Sequence, residues 1–278
     1  MLTGLMPARN GAEANQAAPR RDIRKLPSYL QELGYEVVAF GKVGHYMQTR
    51  DYGFDHVEHS GYHDPQATLS ADRWLRMRKS DKPLAIFVGS NWPHVPWPDT
   101  GEGYNADQVK LAPKMIDTPE TRDLRARYYA AVSRMDQELG NTLSAVDDTL
   151  GKNTVVLFSS DHGAQWPFGK WNLYDTGTRV PLVVRWPGTV KPGTKTSAMV
   201  SWVDILPTLV EVAGGKPPEM IDGRSFASLL RRSMTYKGRS EIFATHNNDG
   251  SVNVYPMRSV RTERWKYIRN LHPEYTYV

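Results

Sequence analysis

The sequence predicts an α/β fold: a mixed, largely parallel central sheet flanked by helices, followed by the start of a small antiparallel subdomain. Three observations predict it. Apolar runs at residues 36–40, 84–89 and 154–158 are short, rich in β-branched residues and end abruptly in polar loops, as strands buried on both faces do. Stretches with helical spacing, each closed by glycine, precede the first and third runs, which is the order of parallel α/β units. From Ser240 onward strand-like runs follow one another without helices, so the expected division is 1–239 for the main domain and 240–278 for the subdomain.

The elements follow in order. Residues 1–21 are rich in Ala, Asn, Gly and Arg without a clear period and read as loop. Leu26, Tyr29, Leu30 and Leu33 recur at helical spacing before Gly34, a stop signal, and the strand 36–40 ends at Gly41-Lys42. Residues 46–81 are polar and aromatic, with a helix expected over 72–78. The strand 84–89 runs into Ser90-Asn91-Trp92-Pro93-His94-Val95-Pro96-Trp97, where two prolines fix φ and remove donors, leaving a rigid loop. The clearest helix starts at Glu120, with Leu124, Tyr128, Ala131, Met135, Leu139, Leu143 and Val146 as its core stripe. The strand 154–158 follows Gly151 and is expected to join the parallel sheet. Residues 179–186 form another strand, with Pro181 at its first position or at an edge. A helix over 203–213 starts near Asp204, whose expected role is favourable contact with the helix dipole. A shorter helix covers 225–231, and strands cover 241–245, 254–262 and 264–270.

Composition narrows the function. The chain has 278 residues, 40% hydrophobic and 23% charged, enough for one large domain with or without a smaller appendage and an ordinary core. No apolar run approaches the roughly 18–20 residues of a membrane span, and Met1-Leu2-Thr3-Gly4 leads into polar sequence without a signal-peptide pattern. The net charge of +5 favours anionic partners through long-range attraction; no nucleic-acid partner is expected. There is no cysteine, which excludes disulfides, zinc–thiolate sites and cysteine nucleophiles within this chain.

Chemistry concentrates where strands stop. Asp161 and His162 follow the strand 154–158, at the carboxyl edge where open α/β sheets place their sites. An Asp beside a His suits a divalent metal, with Lys170 near for an anion; a strand-end turn cap with solvated neighbours is equally compatible with three residues of sequence. Lys42 and His45 leave the first strand in the same situation, and read alone they are surface residues. His94, held between prolines, suits substrate contact or proton transfer, or belongs to a loop whose Trp side chains cover the core.

Several motifs together carry a resemblance. Leu2-Thr3-Gly4, Gly41-Lys42-Val43-Gly44-His45, Pro93-His94-Val95-Pro96, Ser160-Asp161-His162-Gly163, Gly169-Lys170, Gly177-Thr178-Arg179-Val180-Pro181-Leu182 and Asp204-Ile205-Leu206-Pro207-Thr208-Leu209 occur in the order seen in the sulfatase family. Arg134-Met135-Asp136-Gln137 and Tyr255-Pro256-Met257-Arg258-Ser259-Val260 resemble the N-sulfoglucosamine sulfohydrolase (sulfamidase) branch. The resemblance implies an alkaline-phosphatase-like fold and one Ca2+, other divalent metals being possible. It also implies Asp161 and His162 as metal ligands, Lys42 and Lys170 on the sulfate, and His45 and His94 near nucleophile and leaving group. Arg258 and His246, with the loop through Asp249, are expected over the sugar. The implied substrate is a sulfated saccharide, and the implied compartment periplasmic, extracellular or lysosomal.

Two departures bear on this. The family nucleophile is a formylglycine made from Cys or Ser in a C/S-x-P-x-R motif just upstream of Leu-Thr-Gly, and this chain starts at Met1 without a cysteine. The expectation is therefore an N-terminally truncated chain, inactive alone, with the nucleophile and the paired Asp ligands missing. Moreover, the combination of His162 with Lys170 resembles O-sulfatases more than sulfamidases. A phosphomonoester or phosphodiester hydrolase of the same superfamily and a non-catalytic sulfated-glycan binder stay open.

Overall fold

The computed structural model describes residues 1–59, 63, 65–233 and 236–275, apart from the side chains of residues 46, 47 and 67. The helices are α1 (Pro7–Asn10), α2 (Leu26–Glu32), α3 (Gln66–Met77), α4 (Pro119–Thr149), α5 (Asp175–Thr178), α6 (Ile205–Val212) and α7 (Ala227–Leu230). The strands are β1 (Glu36–Gly41), β2 (His56–Glu58), β3 (Leu84–Gly89), β4 (Val156–Ser159), β5 (Leu182–Arg185), β6 (Glu241–His246), β7 (Met257–Thr262) and β8 (Lys266–Asn270).

β1 is the centre of a parallel sheet of order β2-β1-β3. Its side chains alternate between two cores, as the period of a strand requires. Val37 packs with Leu26, Leu30, Leu206 and Val210 from α2 and α6, and Val38 and Phe40 pack with Ala71 of α3. Burying each of these large side chains contributes about 1.5–3 kcal/mol. The register sets Glu36 opposite Leu84 and Gly41 opposite Gly89, so both strands stop at the same level and release Lys42 and Ser90 together. Gly89 is required there, because a Cβ would strike the carbonyl of Lys42.

β4 differs from the expectation. Among the described strands it is hydrogen-bonded to β5 alone, and antiparallel, from Val156 opposite Arg185 to Ser159 opposite Leu182. The connection between them holds only the four-residue α5; with no crossover helix to carry the chain back, the return strand runs antiparallel. Val156 still reaches the cluster of Leu75, Ala145 and Val146, shared with Leu84 and Ile86 of β3, which sets β4 against the same helices. The architecture is thus a parallel sheet with helices plus antiparallel pieces.

α4 keeps Ala131 and Val146 of its expected stripe buried and otherwise buries smaller residues. Its buried residues are Ala126, Ala130, Ala131, Ala145 and Val146, while Leu124 is exposed. Small side chains suit close packing of α4 against its neighbours, and Tyr128, Met135, Leu139 and Leu143 of the expected stripe are half-buried. Thr118 caps the helix by accepting from the amide of Thr121 at 3.2 Å.

The late strands form an antiparallel sheet of order β6-β7-β8. Asp204, expected to assist the helix start, does so in a capping box with Ser201 and is in addition buried as a hub. Its carboxylate accepts from the amides of Ser201 (2.8 Å) and Arg224 (2.7 Å) and from both arms of Arg239 just before β6. The charge is buried because each lone pair has a donor.

Candidate functional site

Three strand exits build the site. After β1, the amide of Lys42 donates to the carbonyl of Gly89 at 2.9 Å, and His45 starts the 3-10 helix Tyr46–Tyr52. After β3, Ser90 Oγ accepts from the amide of Trp92 (3.0 Å), the amide of His94 donates to Asn91 (2.9 Å), and Trp97 Nε1 donates to Pro93 (3.0 Å). These bonds fold the two prolines into a compact turn with His94 at its tip.

After β4, hydrogen bonds rather than packing fix the loop. The amide of His162 donates to Asp161 Oδ1 (2.9 Å), and Ser160 Oγ donates to the carbonyl of His162 (2.8 Å). The amide of Gly163 donates to Gly177 (2.9 Å), and that of Lys170 to Ala164 (2.9 Å). Gly163 leaves no room for a side chain, since a Cβ would meet the carbonyl of Thr176.

The exits bring Lys42, His45, His94, Asp161, His162 and Lys170 within one another's electrostatic reach. Lys170 Nζ lies 2.8 Å from His94 Nε2. His94 Nδ1 lies 2.7 Å from the carbonyl of Val95; that oxygen only accepts, so Nδ1 carries the proton and Nε2 receives a bond from Lys170. Burial most of all pulls the His94 pKa below the ordinary histidine value; the hydrogen bond to Val95, second in size, opposes it, and Lys170, Lys42 and His162 lower it further. Burial and then Lys42 depress Lys170, partly offset by Asp161 and Asp249. His45 is lowered by burial and Lys42, again against Asp161 and Asp249. Two ammonium groups beside half-buried, neutral imidazoles make a site that prefers an anion with several charged oxygens.

The metal expectation is tested by the donor set. His162 Nδ1 is 2.8 Å from the carbonyl of Gly163, which orients the ring so that Nε2 faces Asp161 Oδ2, 3.5 Å away. One carboxylate oxygen and one imidazole nitrogen thus lie side by side, donor types that suit two ligands of a divalent cation. Among the described residues no group of three or more His, Cys, Asp and Glu side chains is arranged around a metal position, and a hard cation such as Ca2+ takes about six to eight oxygens. The pair fits as part of a ligand set.

The antiparallel sheet contributes by its loop. His246 Nε2 donates to the carbonyl of Asn253 (3.0 Å), and its ring lies 4.8 Å from that of Tyr255. Arg258 Nη1 donates to Asn247 Oδ1 (2.7 Å) and to the carbonyls of His246 (3.2 Å) and Met257 (2.8 Å). Both side chains brace the loop, and Asp249 at its tip faces the site: its charge acts on His45, Lys170 and His246. Asn15 Nδ2 holds Asp249 Oδ1 at 2.5 Å. His63 is a further residue that no sequence motif marked; its ring stacks on Trp92 at 3.8 Å, and Arg134 lies 5.0 Å over the same indole. Those contacts join distant segments, so no local pattern announces them.

Comparison with known proteins finds relatives over most of the chain. A family model described as Sulfatase matches residues 1–215, and one described as N-sulphoglucosamine sulphohydrolase, C-terminal, matches residues 161–277. An ulvan-active sulfatase of Formosa agariphila is 33% identical over 98% of this chain and 55% of its own length. The chain spans about half the length of the curated relatives it matches. A solved protein from work on metabolism of multiple glycosaminoglycans by Bacteroides thetaiotaomicron superposes with a TM-score of 0.80 at 22% identity, covering 97% of this chain and 72% of that one. Another, solved in complex with its substrate D-glucosamine-2-N,6-O-disulfate, gives 0.77 at 19% identity, covering 96% and 77%. At such identities the superpositions establish the shared fold.

Proposed function

The chain belongs to the sulfatase family, and on that premise we propose that the full-length protein hydrolyses sulfate groups from a sulfated saccharide, the N-sulfate of glucosamine in a heparin-type chain first among them. The observation that carries this is the Lys170 Nζ to His94 Nε2 contact of 2.8 Å, with the charge of Lys42 acting on both groups. A sulfuryl group in transfer spreads negative charge over three oxygens. Lys42 offers fixed positive charge to those oxygens in a half-buried site, where such preorganisation is most effective, and Lys170 adds its own charge until it passes on its proton.

His94 delivers the proton. Its Nδ1–H is committed to Val95, so Nε2 is the reactive nitrogen and Lys170 its adjacent proton source. Burial lowers both groups from their ordinary values, which eases donation of the proton to a departing amine or alkoxide. Asp161 Oδ2 and His162 Nε2 would hold a divalent cation, Ca2+ in the family, which when bound supplies further positive charge to the sulfate oxygens. The nucleophile in this reading is the family formylglycine, and the 278-residue chain, which has no cysteine, binds sulfated sugars without turning them over. The working compartment in this reading is periplasmic, extracellular or lysosomal.

The N-sulfate preference is supported by the family-model match over residues 161–277. The His162 and Lys170 pair, and the similarity to an ulvan-active sulfatase, favour O-sulfate as the second reading. The test offers N-sulfated and 6-O-sulfated glucosamine side by side to the full-length protein and measures sulfate release. Release from the N-sulfate first is expected; release from the 6-O-sulfate alone removes the sulfamidase reading and keeps the O-sulfatase one.

A further inference from the structure

The loop that carries Lys170 also turns two aromatic rings to solvent beside it. Phe168 and Tyr174 are 40% and 43% exposed, and their rings meet edge to face at 5.2 Å and 88°. Phe168 and Trp171, on either side of Gly169-Lys170, have φ of 63° and 65°. Bulky residues rarely adopt this region, at a cost of about 1–3 kcal/mol each, and such strain gathers at ligand sites. Thr176 Oγ1 donates to the carbonyl of Phe168 at 2.5 Å and holds the backbone there. The strain therefore presents a ring outward instead of burying it.

A cation covers the pair from another part of the chain. Lys114 Nζ lies 4.7 Å over the Phe168 ring and 5.2 Å from that of Tyr174. Among the described residues no carboxylate lies within 4.0 Å of this ammonium, whereas the neighbouring Asp175 is neutralised by Lys266 (2.7 Å) and Arg261 (3.0 Å). The result is a pair of exposed, mutually perpendicular rings with a cation over Phe168, which lies two residues along the chain from Lys170.

We propose that Lys114, Phe168 and Tyr174 form a platform for the sugar unit next to the one in the site, within a sulfated saccharide chain. The inference rests on the reading of the site as a sulfated-saccharide site. A pyranose offers a C–H face, slightly positive, to the negative faces of aromatic rings, and its sulfate or carboxylate meets the Lys114 ammonium. Charge complementarity selects this occupant over a neutral saccharide, because Lys114 and the site are both cationic.

The test is calorimetry on the 278-residue chain with glucosamine N-sulfate and with an N-sulfated heparin tetrasaccharide. The wild-type chain is expected to hold the tetrasaccharide about tenfold more tightly than the monosaccharide. Phe168→Ala with Tyr174→Ala removes that advantage and leaves the monosaccharide affinity unchanged; Lys114→Gln removes about threefold of it and decides the matter if the double variant unfolds. An advantage that survives in the variants overturns the platform, and so does an equal gain from a neutral N-acetylglucosamine tetramer. A change in sedimentation of the double variant with its saccharide advantage intact also overturns it, making the surface an interface between copies. Tetrasaccharide binding that needs the platform, with no monosaccharide binding and no effect of Lys170→Ala, refutes the site reading and keeps the platform. Binding of neither sugar by the wild-type chain removes both.

Discussion

β1 and β4 are nearly equal in sequence and unequal in the fold. Each is a run of Val, Phe and other apolar residues ending at a chemistry-bearing loop. β1 is buried at five of its six positions, between two helical layers and two parallel neighbours. β4 is half-buried at all four of its positions and has one antiparallel partner. The difference teaches that Lys42 and Asp161 are positioned by different physics. Lys42 inherits its place from the packing of the strand behind it, while Asp161, His162 and Lys170 are fixed by hydrogen bonds within their own loop. Substitutions in the two strands should therefore separate stability from binding.

The largest contrast comes from the strands themselves. Phe40→Ala opens a cavity between α3 and the sheet, and an expected loss of about 3–5 kcal/mol follows. Leu157→Ala in half-buried β4 should cost about 1–2 kcal/mol, because solvent already reaches that strand. Denaturant titrations of both variants check this, and equal losses would break the comparison.

Glycines sharpen it next. Gly89→Ala forces a Cβ against the carbonyl of Lys42, in the ladder between β1 and β3. Gly163→Ala does the same against the carbonyl of Thr176, within a loop. Overpacking of this kind costs about 1–3 kcal/mol. For Gly89→Ala the loss should appear in full as a lower Tm; for Gly163→Ala it should appear as a smaller fall in Tm together with weaker binding of glucosamine N-sulfate. A Gly163→Ala protein that binds normally would show that the loop yields without moving Lys170.

How much of this was legible depends on distance along the chain. The strand ends at 41, 89 and 159 were visible because apolar runs stop there, and the shared register of β1 and β3 then brings Lys42 and His94 to one edge. The antiparallel direction of β4 and β5 was not, since it turns on what the intervening connection lacks. The stripe chosen on α4 held at Ala131 and Val146, but elsewhere it followed side-chain size where the buried positions are Ala126, Ala130 and Ala145. Asp204 read as a local dipole residue because its partner, Arg239, is remote in sequence. His63 and the Phe168–Lys114 contact are long-range for the same reason.

The smallest effect is also the most direct probe of the β4 loop. Lys170 is one cause of the lowered His94 pKa, after burial. In Lys170→Gln the positive charge disappears and water gains access, so both changes raise the His94 pKa. The sign for stability follows. A histidine whose folded pKa lies below its unfolded value near 6.5 contributes stability that is present above that value and lost as pH falls through it. The wild-type chain should therefore lose stability as pH drops below about 6.5, and Lys170→Gln should lose less over the same interval. NMR titration of the His94 ring measures the first quantity and Tm against pH the second. A His94 pKa unmoved or lowered in Lys170→Gln would mean that the β4 loop does not hold its ammonium against the β3 exit, and with it the contact on which the proposed proton transfer depends.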